Sequence, residues 1–328
     1  MDVCRREATV RPSLAGRTEV ERERMKDVMP EAARKTTRFR QMLAEPGILI
    51  APVAYDCVSL RIMEKVGFRM ALHGGYGCTA SLLGMPDVGL ITMTEMVGAA
   101  KRMAAAVDIP LLCDVDDGFG GVPQVMRTTR EVIGSGLAGM YMEDQVAPKR
   151  CPALGRNRVI STEAMVAKLR AAARVREEED PDFVLVARTH SSLAIGLKEA
   201  VARAVTYAQA GADVIFVDLG FDERAIDDMK TLAAEIGPHA HLIATMTESL
   251  GRPLLTADEL GDMGYKIVIY PFTALTSAAA AVTSVLQELK DRGTTRGVVD
   301  RMMPVAELGA LLGIDEIRQV EEEFPYEP

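Results

Sequence analysis

The sequence predicts a (β/α)₈ barrel, in which eight parallel strands close into a ring surrounded by helices. Eight short aliphatic or β-branched runs alternate with eight stretches of helical spacing. The runs are apolar along nearly their whole length, as expected for strands that are buried on both faces. Several helical stretches end at a glycine, the residue that favours a left-handed helix stop; these glycines are Gly67, Gly136, Gly211 and Gly264.

Each strand-like run is too short for a buried helix, and most are bounded by Gly, Pro or charged residues. The predicted strands are Gly47–Val53, Arg69–His73, Pro110–Asp116, Ala138–Glu143, Phe183–Arg188, Asp213–Asp218, His241–Met246 and Lys266–Tyr270. The predicted helices are Val58–Val66, Met93–Val107, Val122–Gly134, Thr162–Arg176, Leu197–Ala210, Glu223–Ile236, Ala257–Met263 and Ala274–Lys290. An open doubly wound sheet is the alternative, but it normally has a glycine-rich phosphate turn after its first strand, and Val53–Asp56 is no such turn.

The predicted organisation has three segments. Residues 1–36 are rich in Arg and Glu and lack apolar periodicity, which favours a flexible N-terminal arm, with a short helix over Glu19–Met29 as the alternative. Residues 37–290 are expected to form the barrel and its catalytic domain, and residues 291–328 a C-terminal helical extension.

Composition and charge exclude several classes of protein. The 38 basic and 47 acidic side chains leave a net charge of −9, which argues against nucleic-acid and anionic-membrane partners. No apolar run reaches the ~18 residues of a membrane span. The first residues lack the apolar middle of a secretory signal. Five cysteines do not suggest a disulfide framework, so we expect a cytoplasmic protein with reduced thiols.

The case for an enzyme comes from where the polar residues lie. Active sites of barrels lie at the C-terminal ends of the strands. Those ends carry Tyr55-Asp56, His73, Asp114-Val-Asp116-Asp117, Glu143-Asp144-Gln145, Arg188-Thr-His190, Asp218, Thr245-Met-Thr-Glu248 and Tyr270. A ring of carboxylates repels itself unless a cation neutralises it, and carboxylate oxygens are the ligands that Mg²⁺ prefers. The pattern predicts a Mg²⁺ or Mn²⁺ site; the alternative is that these acids only end strands and start turns.

Cys151 lies in a polar loop, Gln145–Arg158, which carries four cations and two prolines. This setting predicts an exposed, electropositive thiol, with an incidental surface cysteine as the alternative. The loop is also a candidate lid that could exclude water, with Pro152 and Gly155 as hinges.

Four motifs resemble those of the isocitrate lyase/phosphoenolpyruvate mutase superfamily. They are Asp114-Val-Asp-Asp-Gly-Phe-Gly-Gly121, Tyr141-Met-Glu-Asp-Gln145, Pro148-Lys-Arg-Cys151 and Ala187-Arg-Thr189. Gly84–Gly89 and Tyr270-Pro271 fit the same family, and the similarity extends from about Thr37 to Phe324. The nearest branches are the methylisocitrate lyases, the dimethylmalate lyases and the carboxyphosphonoenolpyruvate mutases.

The resemblance implies roles for individual residues. Mg²⁺, or Mn²⁺, would be held directly or through water by Asp87, Asp114, Asp116 and Glu143. Arg188 would hold a substrate carboxylate. Cys151 would exchange a proton with the carbanionic fragment, with its acidity tuned by Lys149. The candidate substrate contacts are Tyr55, Gly74, Gly75, Tyr76, Asp87, His190, Asp218, Thr245, Thr247 and Pro271.

Several departures from the lyase pattern cluster where substrate should bind. The Gly-His that follows the cysteine in lyases is Pro152-Ala153 here, and the Ser before Gly75 is Gly74. The other departures are His190 for Asp, Asp218 for Glu, Thr245 for Asn and Thr276 for Arg. Together they remove groups that would hold a second or third carboxylate, so an ordinary isocitrate or methylisocitrate lyase is not expected.

The leading hypothesis is a Mg²⁺-dependent carbon–carbon bond lyase of a small 2-hydroxy- or 2-oxo-carboxylate that works through an enolate. The alternatives are a phosphonate mutase or hydrolase, an oxo-acid decarboxylase, and a non-catalytic metal-binding barrel. The apolar run Phe272–Leu289 predicts a helix that needs cover. The resemblance implies that this last helix is exchanged between neighbouring subunits of a dimer of dimers, a homotetramer.

Overall fold

The predicted barrel is confirmed. The computed structural model describes residues 34–155, 158–219, 224–248 and 254–326. Its eight strands pair in chain order, all parallel, and β1 pairs with β8 to close the ring. The strands are β1 (Leu49–Ala54), β2 (Ala71–His73), β3 (Leu111–Asp114), β4 (Gly139–Glu143), β5 (Val184–Thr189), β6 (Val214–Val217), β7 (His241–Thr245) and β8 (Ile267–Tyr270).

Helices follow the strands and cover the outside of the barrel. They are α1 (Lys35–Ala44), α2 (Cys57–Val66), α3 (Gly75–Leu83), α4 (Met93–Ala106), α5 (Val122–Ile133), α6 (Thr162–Glu179), α7 (Ser191–Ala194), α8 (Leu197–Gln209), α9 (Ala225–Ile236), α10 (Ala257–Asp262), α11 (Thr273–Arg292), α12 (Val305–Leu311) and α13 (Ile314–Glu323). Several begin at side-chain caps, as α2 does at Asp56, whose carboxylate accepts from the backbone N–H of Ser59 at 2.7 Å.

Two apolar layers hold the barrel together. One layer lies between the strands and the surrounding helices. The other fills the barrel interior, and Phe39, Met42 and Leu43 of α1 belong to it. Helix α1 therefore packs on the barrel core, and Arg40 ties it to the start of β5 by donating to the Phe183 carbonyl at 3.0 Å.

The sequence did not indicate helices α1, α3 and α7. The first described helix begins at Lys35, just inside the predicted arm of residues 1–36; the alternative helix over Glu19–Met29 lies outside the described residues. The three-segment organisation stays a prediction.

The chain continues beyond the barrel as helices, in agreement with the predicted C-terminal helical extension. None of the residues of α11 is buried. None of the helices in the described ranges is both long and apolar enough to cross a membrane. The cytoplasmic location stays a prediction.

Candidate active site

The C-terminal ends of the strands surround a cavity. Its lining combines charged side chains from β3, β4, β5 and their loops with apolar side chains from β1, β6 and β8. The lining residues are Val53, Gly74, Gly75, Tyr76, Gly77, Asp87, Asp114, Tyr141, Glu143, Lys149, Arg150, Cys151, Pro152, Arg188, Phe216, Asp218, Thr245, Thr247, Ile269, Pro271 and Phe272.

One wall of the cavity is an acid cluster arranged around a single lysine. Nζ of Lys149 lies 2.8 Å from Oδ2 of Asp87 and 2.8 Å from Oδ1 of Asp116. Asp114 and Glu143 complete the cluster, and all five side chains are almost fully buried. Oδ1 of Asp87 and Oε1 of Glu143 have no hydrogen-bond partner among the described residues, and Oδ1 of Asp116 has only the ion pair with Lys149.

The local backbone explains how these carboxylates come together. Asp114 ends β3, where its Oδ2 accepts from the backbone N–H of Gly75 at 2.8 Å and its Oδ1 accepts from that of Asp116 at 2.9 Å. Asp116 adopts a left-handed backbone, φ +47°, which turns the chain sharply after the strand. Gly75 is required here because a Cβ on it would lie 2.8 Å from Oδ2 of Asp114 and 3.0 Å from Nζ of Lys149.

Burial and charge shift the pKa values of the cluster. Burial, only partly offset by Lys149, raises the pKa of Asp87 and holds that of Asp116 well above its usual range. Burial also disfavours the Lys149 ammonium, but the surrounding carboxylates outweigh it and hold the Lys149 pKa well above its usual range. The single positive charge of Lys149 therefore does not neutralise the negative charge of the carboxylates packed around it.

Glu143 behaves differently because it has its own partners. Its Oε2 lies 2.9 Å from Nε2 of His190 and 3.5 Å from NH1 of Arg188. Burial opposes ionisation of Glu143, but the interactions with His190, Arg188 and Lys149 prevail and lower its pKa to about 2. Glu143 is therefore an ionised carboxylate across the physiological pH range.

Arg188 is held firmly beside Glu143, at the edge of the acid cluster. Its Nε and NH2 lie 2.7 Å and 2.6 Å from Oδ2 of Asp218. The guanidinium also stands over the ring of Phe216, 4.5 Å from the centroid. Burial lowers the pKa of Arg188, but the charges of Asp218 and Glu143 outweigh it and raise the pKa above its usual value. These contacts fix the orientation of a cation that lines the cavity.

His190 does not line the cavity. Its side chain is fully buried behind the wall, where Nε2 faces Glu143 and Nδ1 lies 3.0 Å from Oδ2 of Asp218. The predicted substrate contact by His190 is therefore not what the structure presents: the cavity-lining side chains Glu143 and Asp218 stand between the imidazole and the cavity. His73 is also fully buried and does not line the cavity.

The part of the Cys151 loop from residue 145 to residue 155 lies beside the acid cluster, to which its Lys149 belongs. The backbone N–H of Cys151 donates to the carbonyl of Asp87 at 3.1 Å, so this loop is fastened to the loop after α3. The side chain of Cys151 is half-buried and lines the cavity. At its base the loop is closed by an antiparallel bridge between Gln145 and Val159.

The structure gathers most of the predicted site residues around the cavity. Of the predicted positions, only Tyr55, Asp116 and His190 do not line it. Tyr55 is half-buried beside Gly77, where a Cβ would meet the Tyr55 Cβ at 2.7 Å, and Asp116 lies behind Lys149.

The sequence did not indicate the apolar side of the cavity. Val53, Phe216, Ile269 and Phe272 line it, together with Tyr141 and Arg150. Phe272 packs edge-on against Tyr76, with ring centroids 5.0 Å apart. A strand buried on both faces has no polar alternation to show which side chains point inward, so only the strand ends could have suggested these residues.

Comparison with known proteins agrees with this architecture. A profile of the phosphoenolpyruvate phosphomutase family matches residues 39–290. The chain belongs to this family. The predicted membership of the isocitrate lyase/phosphoenolpyruvate mutase superfamily, and with it the prediction of an enzyme of this lyase-type superfamily, is confirmed.

Relatives within the family differ in the reactions named for them. The 2,3-dimethylmalate lyase of Eubacterium barkeri is 38% identical over 287 residues, which cover 88% of this chain and 97% of that protein. Oxaloacetate acetylhydrolase, solved with the inhibitor 3,3-difluorooxalacetate, superposes with a TM-score of 0.83 at 31% identity, covering 88% of this chain and 97% of that one. Phosphonopyruvate hydrolase, solved with oxalate and Mg²⁺, has a TM-score of 0.81 at 26% identity and covers 89% and 99%.

The acid cluster has the donor chemistry of a magnesium site. Its donors are carboxylate oxygens. Oδ1 of Asp87 and Oε1 of Glu143 have no hydrogen-bond partner among the described residues, and Oδ1 of Asp116 has only its ion pair with Lys149. Within the described ranges no three His, Cys, Asp or Glu side chains converge closely enough to ligate an ion as a set. A metal bound here would therefore complete its shell with water, as Mg²⁺ commonly does.

Proposed function

We propose that this protein is a Mg²⁺-dependent lyase that breaks a carbon–carbon bond in a small 2-hydroxy- or 2-oxo-carboxylate through an enolate. The observation that carries the proposal is the arrangement of the cavity. It has an acid cluster suited to a divalent cation, a fixed arginine suited to a carboxylate, and the Cys151 thiol as a proton source. The family relationship supports the same class of reaction, since the 2,3-dimethylmalate lyase matches nearly the whole chain.

The metal would be held by Asp87, Asp114, Asp116 and Glu143, directly or through water. When bound, it would supply positive charge to the oxygens of the substrate and of the enolate that forms. Glu143 contributes a full negative charge, because its pKa is held near 2. Lys149 is positioned to keep the remaining carboxylates close together.

Arg188 would bind the substrate carboxylate. Asp218 and Phe216 hold the guanidinium in place, so its orientation does not have to be set when the substrate arrives. The carboxylate would then lie between Arg188 and the acid cluster, with the scissile bond facing the Cys151 loop.

Cys151 would act as the general acid. In a 2-hydroxy acid, or a 2-oxo acid to whose carbonyl water has added, the hydroxyl gives its proton to an ionised carboxylate of the acid cluster and becomes a carbonyl oxygen as the carbon–carbon bond breaks. The electron pair of that bond stays on the other fragment as an enolate, whose carbon takes the proton from the thiol. The resulting thiolate is stabilised by its cationic neighbours Lys149 and Arg150. In the reverse direction the thiolate removes the same proton.

The apolar part of the cavity wall favours a substrate with fewer charged groups than a tricarboxylate. Val53, Phe216, Ile269 and Phe272 are themselves uncharged, and the cations of the cavity lining are Lys149, Arg150 and Arg188. The cavity-lining departures at Gly74 and Thr245 also change this surface, since Gly stands in place of Ser and Thr in place of Asn of the lyase pattern. A small acid with an uncharged substituent fits this part of the cavity better than one with a second distal charge.

A ligand screen tests the proposal. Small 2-oxo and 2-hydroxy acids, di- and tricarboxylates and phosphonates would be tested by thermal shift with and without Mg²⁺, and stabilising compounds analysed for products. A ligand present at 100 times its Kd stabilises the native state by about 2.7 kcal/mol. We expect Mg²⁺-dependent stabilisation by a 2-oxo or 2-hydroxy acid, followed by cleavage into two carbon fragments.

The Asp116→Ala variant is tested in parallel, because it removes one carboxylate of the acid cluster. It should lose the Mg²⁺-dependent part of the thermal shift, and its cleavage rate should fall ~10²-fold or more. Cleavage at full rate in excess chelator would contradict the proposal.

Chemistry on phosphorus is the second candidate, favoured by the structural match to phosphonopyruvate hydrolase. The same screen separates the two, because a phosphonate would then be both the best ligand and the compound turned over. Loss of CO₂ alone from an oxo acid would identify a decarboxylase, and binding without turnover a non-catalytic barrel.

A further inference from the structure

Two buried polar side chains connect the substrate-binding arginine to the cysteine loop. They are His190, which is fully buried, and Gln145, which is 3% exposed. The proposed reaction uses neither side chain directly. The resemblance places an aspartate where this chain has His190, so the arrangement around it belongs to this chain.

Gln145 fastens the cysteine loop through its side-chain amide. Its Nε2 donates to the carbonyl of Arg150 at 2.9 Å, and its Oε1 accepts from the backbone N–H of Arg150 at 2.9 Å. Both backbone groups of the residue before Cys151 are therefore held by one side chain. The Gln145 side chain is buried, so losing either bond would leave one of its own polar atoms without a partner.

His190 packs against this amide and extends the connection to the part of the wall that carries Arg188. Its Nε2 donates to Oε2 of Glu143 at 2.9 Å and lies in packing contact with Nε2 of Gln145, at 3.2 Å. Its Nδ1 lies 3.0 Å from Oδ2 of Asp218, an ion-pair distance without hydrogen-bond geometry. Asp218 is the carboxylate that holds Arg188. One imidazole thus contacts the acid cluster, the partner of the arginine and the side chain that fastens the loop.

The backbone of His190 is fixed as well. Its N–H donates to Oδ1 of Asp144 at 3.0 Å. Asp144 is fully buried, and its Oδ2 accepts from Thr189 at 2.6 Å and from Tyr207 at 3.0 Å. The imidazole therefore projects from a backbone that is itself held by a buried hydrogen-bond network, which suits a role in orienting other groups.

We propose that His190 and Gln145 are positioning residues that hold the Cys151 loop over the cavity and align it with Glu143 and with the Arg188–Asp218 pair. Gln145 sets the position of the loop, and His190 couples that position to the two carboxylates. The alignment of Cys151 for proton transfer rests on the proposed function, whereas the holding of the loop does not.

The test uses the full-length protein, two near-isosteric variants and two matched controls. Gln145→Met removes the amide that fastens Arg150, and His190→Asn removes the imidazole while leaving a polar group. The controls are Gln41→Met and His239→Asn, which change the same residue types at exposed positions far from the cavity. Alkylation of Cys151 by iodoacetamide is followed by peptide mass spectrometry, and Mn²⁺ binding is followed by electron paramagnetic resonance.

We expect Gln145→Met to raise the alkylation rate of Cys151 by about tenfold, because the loop loses two hydrogen bonds, and to leave Mn²⁺ affinity within about twofold. His190→Asn should raise the alkylation rate and also weaken Mn²⁺ binding several-fold, because Glu143 loses a partner. In the turnover assay Gln145→Met should lower kcat more than it raises KM. Both controls should match the wild type.

Alkylation rates within twofold of wild type in both folded variants, or equal changes in the controls, would overturn the proposal. If one variant fails to fold, the other decides, since each breaks the connection at a different point. The labelling needs no substrate. A protein that fails the cleavage assay can therefore still show the labelling difference, and the two hypotheses fail separately.

Discussion

His73 lies at the end of β2 with its side chain fully buried, and its Nδ1 is 4.0 Å from Sγ of Cys113. Burial lowers the pKa of His73 to about 4, although the charge of Asp114 opposes the shift. The folded state therefore disfavours the imidazolium. Between the unfolded pKa near 6.5 and the folded value, the unfolded chain binds more protons, so stability is present above about pH 6.5 and is lost as the pH falls toward 4.

This shift predicts a measurable difference between wild type and His73→Asn. Between pH 7 and pH 5, the free energy of unfolding of the wild type should fall by about 2 kcal/mol more than that of the variant. Urea unfolding of both proteins in the same metal-free buffer measures it, with His239→Asn as the control at an exposed histidine. Equal pH dependence in all three proteins would contradict the assignment.

Helix α3 begins in contact with the acid cluster. A substitution at its first residue, Gly75, therefore tests the geometry of the site. Gly75→Ala would place a methyl group 2.8 Å from Oδ2 of Asp114 and 3.0 Å from Nζ of Lys149. We expect the variant to lose metal-dependent ligand binding by at least about tenfold, because the carboxylates must move. Mn²⁺ titration and the thermal shift measure this.

The control for this substitution lies in the next helix. Gly98 of α4 has nothing closer than NH1 of Arg102, at 3.9 Å from an added Cβ. Gly98→Ala should leave binding unchanged and stabilise the protein by about 0.5–1 kcal/mol, the usual gain within a helix. A Gly75→Ala protein that binds metal and ligand like the wild type would refute the close-approach argument.

At the level of elements, the alternation of strand and helix was readable because barrel strands are continuous apolar runs and helices show the 3.6-residue period. Helices α3 and α7 could not be predicted in this way. Helix α3 begins with Gly75-Tyr-Gly77, a poor helix-forming sequence, and α7 has only four residues. Helix α1 was also missed, because its residues are mostly polar and its stability depends on tertiary contacts with the barrel, which a sequence pattern does not show.

The site shows the same division between what chain position determines and what packing determines. Carboxylates at the strand ends were predictable, because parallel strands bring their C-terminal ends to one rim. Whether a given side chain lines the cavity or lies behind its wall was not predictable. His190 and Asp116 follow strands as the lining residues do, yet local turns direct both behind the wall. The apolar lining was hidden for the same reason, since inward and outward side chains of β6 and β8 are equally apolar.

The surface of the whole molecule carries an uncovered apolar helix. Val282 and Leu286 of α11 are each 55% exposed, and none of the residues of this helix is buried. Further exposed apolar side chains follow in α13 and the tail, namely Ile317, Val320 and Phe324. An apolar surface of this extent indicates a protein interface. We propose that α11 is covered by a second copy of the chain, in the dimer of dimers that the resemblance implies.

Light scattering at micromolar concentration tests this assembly. The wild type should have the mass of a tetramer, and Leu286→Glu should shift it toward smaller species, because a charge would be buried without a partner. Gln209→Glu adds the same charge to the exposed end of α8 and should leave the mass unchanged. A wild-type monomer would refute the proposal.

The proposed function depends on a proton delivered to carbon by Cys151, so the turnover of Cys151→Ser with the substrate found in the screen is its most direct test. The acid cluster and Arg188 are untouched by this change, so Mg²⁺ and substrate binding should stay within a few-fold of wild type. Turnover should fall by ~10²–10⁴-fold, the usual contribution of a general acid. Exchange of the product's α-proton with deuterated solvent should fall in parallel. Turnover by the serine variant within a few-fold of wild type would contradict carbon–carbon cleavage with Cys151 as the acid.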